Sequence, residues 1–228
     1  MGIVLVVLAL AMVLALVPSF WVKRVLKQHA VERSDFPGTG GEFARHILDE
    51  MQLGHVAVEE TPLGDHYDPE AKVVRLSPDH FGKRTLAAVV VAAHEVGHAM
   101  QDATSYPPLA ARTRLAGQAQ NIERFGAIVM LATPVILILV KSPHVVMLEL
   151  AAGMLILSVT ILMHAVTLPV EFDASFRRAL PVLQAGKYVS DADMGAARQI
   201  LRAAAFTYVA AAAISLLDVM RWLRVLRI

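Results

Sequence analysis

The sequence predicts a mainly α-helical integral membrane protein, broken by one polar region that carries a small β-hairpin. Three observations lead there. The 228 residues are 56% hydrophobic and only 18% charged, with a mean hydropathy of +0.55, whereas soluble domains run about 45–50% apolar and about 25% charged. The apolar excess is gathered into segments near the ~20 residues that cross a bilayer as a helix. The acidic residues and the Gly and Pro breakers concentrate between Glu32 and Asp102. The same figures exclude collagen, low-complexity disorder and acidic tails. Because 21 basic residues offset 20 acidic ones, no nucleic-acid partner is expected. The chain has no cysteine, which removes disulfides and thiol chemistry and leaves nine histidines as the candidate metal ligands.

In chain order, Ile3 to about Val22 carries no charge. It has no basic residue before it and no small-x-small site after it, so residues 1–22 read as a retained transmembrane anchor. Residues 23–124 form the region expected to carry the chemistry, with its polar stretch from Glu32 to Asp102. Pro37–Gly41 is a loop, and Glu42–Leu53 has helical spacing (Phe43, Ile47, Met51) and stops at Gly54. Val56–Leu76 alternates as a hairpin turning at Asp68-Pro69. Ser77-Pro78 is a start signal, and a helix is expected from about Thr85 to Gln101. Two apolar stretches, about Phe125–Val140 and about Val145–Leu168, turn at Ser142-Pro143 and make a transmembrane hairpin over 125–168. Residues 169–202 follow as a segment with a candidate metal-ligating carboxylate and the helices after it. The alanine-rich stretch from about Ala203 to Met220, within 203–228, is a fourth apolar helix and contains Asp218.

Basic residues flank the apolar segments: Lys23, Arg24 and Lys27; Arg112, Arg114 and Arg124; Arg177, Arg178 and Lys187. If the hairpin crosses twice, all three groups share one side, which is expected to be the cytoplasm. Arg221, Arg224 and Arg227 oppose this unless they snorkel or the fourth helix does not cross.

The chemistry is expected at His94-Glu95-Val96-Gly97-His98, inside the helix that follows Gly82. Four residues advance a helix by about 400°, so the two histidines stand about 40° apart on one face. Two imidazoles at that spacing can bind one Zn²⁺. Glu95, at the edge of the same face, is placed to act as general base towards a water at the metal. Gly97 is expected to leave room beside the metal. A catalytic zinc usually has three protein ligands. The candidates for the third are Glu171 and Asp173, just after the hairpin and on the same side as the histidines, with Glu171 the expected ligand. A carboxylate so close to a membrane boundary is costly unless paired or metal-bound.

The run His94–Asp102, Tyr106-Pro107, and Leu168-Pro169-Val170-Glu171-Phe172-Asp173-Ala174-Ser175 resembles the YugP-type neutral zinc metallopeptidases of bacterial membranes. Asp65–Pro69, Val74–Ser77 and Leu201–Ala210 share in the resemblance, which covers almost the whole chain. It implies a membrane-embedded, gluzincin-like HExxH catalytic domain with a downstream glutamate ligand. The arrangement is also similar to the HtpX and CAAX prenyl endopeptidases. In those, an aspartate four residues after the ligand glutamate supports a zinc histidine; here that position is Ser175, and the nearby acid is Asp173.

Other residues carry competing expectations. His66 or Tyr67 can donate to an oxyanion, or simply stabilise the hairpin, and the strand itself can pair with an extended peptide. His164, seven residues before Glu171, is read as a neutral bundle histidine rather than a ligand. Asp191 and Asp193 are expected to cap a helix starting near Met194, with support of a zinc histidine as the alternative. The function expected is a zinc endopeptidase of the bacterial inner membrane, multi-pass, with its site facing the cytoplasm. Its partners are protein or peptide substrates and the bilayer, and its oligomeric state is left open. The alternatives are a non-catalytic membrane scaffold or metal-binding protein, against which Glu95 argues, an intramembrane protease, for which no Asn-Pro-Asp-Gly segment exists, and a transporter.

Overall fold

A computed structural model describes residue 17 and residues 20–140 and 143–205, over much of 120–160 as backbone only. Most of the first and fourth apolar segments, Ser142, Asp218 and the last three arginines lie outside the described residues.

Residues 20–28 form helix α1. Helix α2 (Gly40–Glu50) starts two residues earlier than the hydrophobic spacing implies, because Thr39 and Glu42 form a reciprocal capping box that satisfies its first N–H groups. It ends at Met51, ahead of the expected stop, and Gln52 turns the chain with a φ of 59°. Three strands follow: β1 (Ala57–Glu60), β2 (His66–Asp68) and β3 (Val73–Leu76). The expected turn at Asp68-Pro69 is present, with Asp68 Oδ1 accepting from the Glu70 and Ala71 N–H groups. The expected single hairpin, however, is a three-stranded sheet of order β1-β3-β2. β1 pairs parallel to β3 (Ala57 opposite Val73) and β2 antiparallel (Tyr67 opposite Val74). Alternation reveals which residues face inward but not which strands pair, and β2 is left at an edge.

Ser77-Pro78 opens the single turn α3 (Pro78–Phe81). Thr85 caps α4 (Leu86–Ala103) by accepting from Ala88 N–H. Fourteen of the 18 residues of α4 are buried, as befits a helix apolar nearly all round. One side packs with α1 and the later helices around Val25, Val90, Leu183 and Ile200. The other packs with α2 and the sheet around Ile47, Leu48, Val74 and Val96.

Helices α5 (Pro107–Val140) and α6 (Pro143–Phe172) form the hairpin. Pro169 does not end α6. The chain continues through it into a wide π-helical segment (Asp173–Ala179), then α7 (Leu180–Ala185) and the helix α8 over 194–205. Proline removes an internal N–H donor, and π turns accommodate such irregularity and often occur at functional sites. The fold is therefore mainly helical with one small sheet. Among the described residues no helix is long and apolar enough to cross a membrane, so the expected spanning hairpin stands on the sequence alone.

Candidate metal centre

His94 and His98 lie one turn apart on α4, with ring centroids 4.7 Å apart. Glu171, in the last turn of α6, faces both. Its Oε2 is 3.2 Å from His94 Nε2 and 3.6 Å from His98 Nε2. All three side chains are buried, and their ligand atoms lie within 4.8 Å of one another. A tetrahedral ion with bonds of about 2.0–2.2 Å holds its ligand atoms about 3.3–3.6 Å apart, close to these spacings.

The outer ring nitrogens are occupied. Gln101, buried and one turn beyond His98, donates through Nε2 to Val170 O (2.8 Å) and Asp173 Oδ2 (2.9 Å). Two acceptors at the amide nitrogen leave Oε1 facing His98 Nδ1 at 2.9 Å, so that ring nitrogen donates. His98 then presents a bare lone pair at Nε2, the form in which a histidine ligates. His94 Nδ1 meets Ser175 Oγ at 3.0 Å. The position four residues after Glu171 thus does contact a candidate histidine, with a serine in place of the aspartate. Lone pairs converging on a carboxylate oxygen repel unless a proton or cation lies between them. This donor set fits a zinc ion.

Gly97 has a different role from the expected one. A Cβ there would lie 2.7 Å from the Ala174 carbonyl oxygen. The glycine therefore makes room for the π segment's backbone, not for a metal, and lets Glu171 and Ser175 approach α4.

The electrostatics separate the two glutamates. Burial pushes Glu171 up, but the two histidines more than offset that and hold it well below the usual carboxylate range. Its Oε1 also meets Arg112 Nη1 of α5 at 3.1 Å. Glu95, equally buried, is pushed up to about 7: desolvation dominates, His94 opposes it, and the nearby charges of Glu171 and Asp65 add to it. Among the described residues none hydrogen-bonds its carboxyl, which borders a groove of about 420 Å³. His66, Tyr67 and Asp68 of β2 form one wall of that groove, and Arg112 and Thr113 of α5 contribute another.

The remaining candidates are placed elsewhere. Asp173 is not in the metal-capable group; it binds Gln101 and Arg178 Nε (2.8 Å) and so supports His98 at one remove. The Tyr67 hydroxyl is committed to Asp102 Oδ2 at 2.6 Å, and burial and that carboxylate push its phenol up. His66 borders the groove, with Nδ1 2.9 Å from Gly64 O. His164 is apart from the triad. Asp193 precedes α8, but its carboxylate binds Ser190 and Arg33 rather than a histidine.

Sequence reasoning missed Gln101, Arg112 and the pair Asp65–His80. Gln101 was legible in part, since a polar residue three positions after His98 on an otherwise apolar helix falls on the same face. Arg112 was legible only as one of a basic cluster. Asp65 borders the groove and is held below the usual range. Burial raises it, but His80 Nδ1 (2.8 Å) and Ser77 (N–H 2.8 Å, Oγ 3.0 Å) outweigh that.

The chain is 34% identical over 213 residues, 91% of each chain, to "Putative membrane protease YugP" of Bacillus subtilis (strain 168). No solved structure matches. A family described as "Putative neutral zinc metallopeptidase" matches residues 4–227. With the match spanning nearly the full length, the chain belongs to that zinc metallopeptidase family.

Proposed function

We propose that the protein is a zinc-dependent endopeptidase that hydrolyses peptide bonds at the cytoplasmic face of a membrane. The observation that carries this reading is the placement of Glu95: a buried carboxyl beside a three-residue metal-capable cluster and bordering a groove. A structural metal site has no need of such a group.

His94, His98 and Glu171 would hold the ion. When bound, zinc supplies Lewis acidity and lowers the pKa of water towards about 7. Glu95, one residue from His94 and bordering the groove, is placed for the proton transfers. As water adds to the substrate carbonyl, the carboxylate takes the proton; as the C–N bond breaks, it delivers a proton to the departing amine. Ser175 and Gln101 keep the imidazoles oriented. Arg112, at the groove wall, holds Glu171 and presents a permanent positive charge near the developing oxyanion. The free edge of β2 offers main-chain groups to an extended peptide.

The membrane location rests on sequence. Residues 145–168 contain one charged residue, Glu149. Basic residues at the hairpin's open end favour the cytoplasm.

The test compares wild type, Glu95→Gln and His98→Ala on unfolded protein substrates, with zinc measured in each. Glu95→Gln should keep about one zinc per chain and lose about 10²–10⁴-fold in kcat, while His98→Ala should lose the zinc. A Glu95→Gln protein that still cuts at the wild-type rate rules the reading out.

A further inference from the structure

A second cavity opens on the same atoms. It measures about 230 Å³, and its walls are Val22 and Leu26 of α1, Val90 and Val91 of α4, and Ile200 and Leu201 of α8. Val90, Ile200 and Leu201 are almost fully buried. Its polar residues are Asp65, His94, Glu95 and Glu171, and all four also border the polar groove. The two spaces therefore meet at the candidate base and metal ligands; beyond those shared residues the first adds mostly polar side chains and the second adds aliphatic ones.

The volume is below the roughly 300–1,000 Å³ of sites that enclose whole small ligands, and suits a single side chain. Away from those four residues the walls are aliphatic and offer no partner to a polar group, which would lose its hydration on entry there. An extended peptide lying along β2 with its carbonyl at Glu95 has side chains alternating to either side, and Glu95 borders both spaces.

We propose that the cavity receives the side chain of a residue next to the scissile bond and selects Leu, Ile, Val or Met there. The inference rests on the endopeptidase reading and names its substrate class. Ala204, half-buried on α8, borders the cavity without belonging to the candidate catalytic machinery, as does Leu26. A larger residue at the first narrows the space, and a smaller one at the second widens it.

The experiment digests unfolded β-casein with full-length protein in detergent and maps the new termini by mass spectrometry. Wild type should cut beside aliphatic residues, at one fixed position relative to the bond. Ala204→Leu should shift the preference about tenfold or more towards Gly, Ala and Ser, and Leu26→Ala should admit Phe. Because the two changes act in opposite directions, a shared folding defect cannot imitate them. Cleavage without a positional preference, or one unmoved by both variants, overturns the assignment. A second arm needs no turnover: binding of acetohydroxamate and 4-methylpentanohydroxamate to the zinc-loaded protein is measured by calorimetry. If casein is not cut, yet the branched compound binds at least about tenfold tighter and Ala204→Leu abolishes the gain, the peptidase reading falls and the aliphatic pocket stands. Equal binding of the two compounds overturns the pocket.

Discussion

The buried network around α4 and the ion pairs at the protein's rim use the same kinds of groups under different solvation. Gln101, Asp173 and Ser175 are buried beside the metal-capable cluster, with Arg178 on Asp173, and their bonds join residues 3 to 81 positions apart. At the rim, Arg45 and Asp49 pair one helical turn apart with side chains 34% and 59% exposed, and Lys83 pairs with Asp79 in the same way. In water such pairs trade solvation for contact at nearly even cost. Inside, each unmet polar group costs its full desolvation, so every partner helps determine where the site residues stand. The difference teaches that burial, more than the number of pairs, decides what a polar contact contributes here.

That contrast can be broken first at Gly97. Gly97→Ala should cost about 1–3 kcal/mol by overpacking and weaken zinc binding as well, because the new methyl meets the Ala174 carbonyl and pushes Glu171 and Ser175 away from α4. Denaturant unfolding and zinc titration check both effects. Wild-type zinc affinity in this variant would show that α4 and the π segment need not touch.

Gln101→Ala removes the donor to Asp173 and the acceptor for His98 together. Zinc affinity should fall about 10–100-fold, while Ser175→Ala, which removes a single hydroxyl, should fall less. Competition with a chelator measures each.

Asp65 sharpens the comparison at the boundary between the two regions. Its folded pKa lies below the unfolded value, so its contribution is full above about pH 4 and is lost as pH falls through the folded value. Asp65→Asn should therefore lower stability at pH 7, and the gap to wild type should close in acid. Unfolding midpoints from pH 7 down to pH 2 test the sign; a gap that widens in acid contradicts it.

The smallest effect is expected at the rim. Asp49→Asn should change stability by no more than about 0.5 kcal/mol, with little change on adding salt beyond loss of that pair.

Much of this was legible from the chain alone where the encoding interaction is local. The HExxH helix, its Thr85 start and the facing of His94 with His98 follow from spacing within about four residues. So do the Asp68-Pro69 turn, the start at Ser77-Pro78 and the overall helical class. Each is set by backbone bonds and by which side chains share a face. Glu171 was named as a candidate through its chemistry next to an apolar segment.

The tertiary structure alone decided the rest. Parallel pairing of β1 with β3 depends on β2 lying along the other side. The use of Gly97 is set by a backbone 77 positions away. Gln101 reaches Asp173 across 72 positions and Ser175 reaches His94 across 81, distances over which periodicity carries no information. The apolar cavity draws its walls from helices near both ends of the described chain, and no window of sequence contains it. Spacing along a helix fixes direction relative to that helix's own axis, whereas only packing fixes which distant surface lies there.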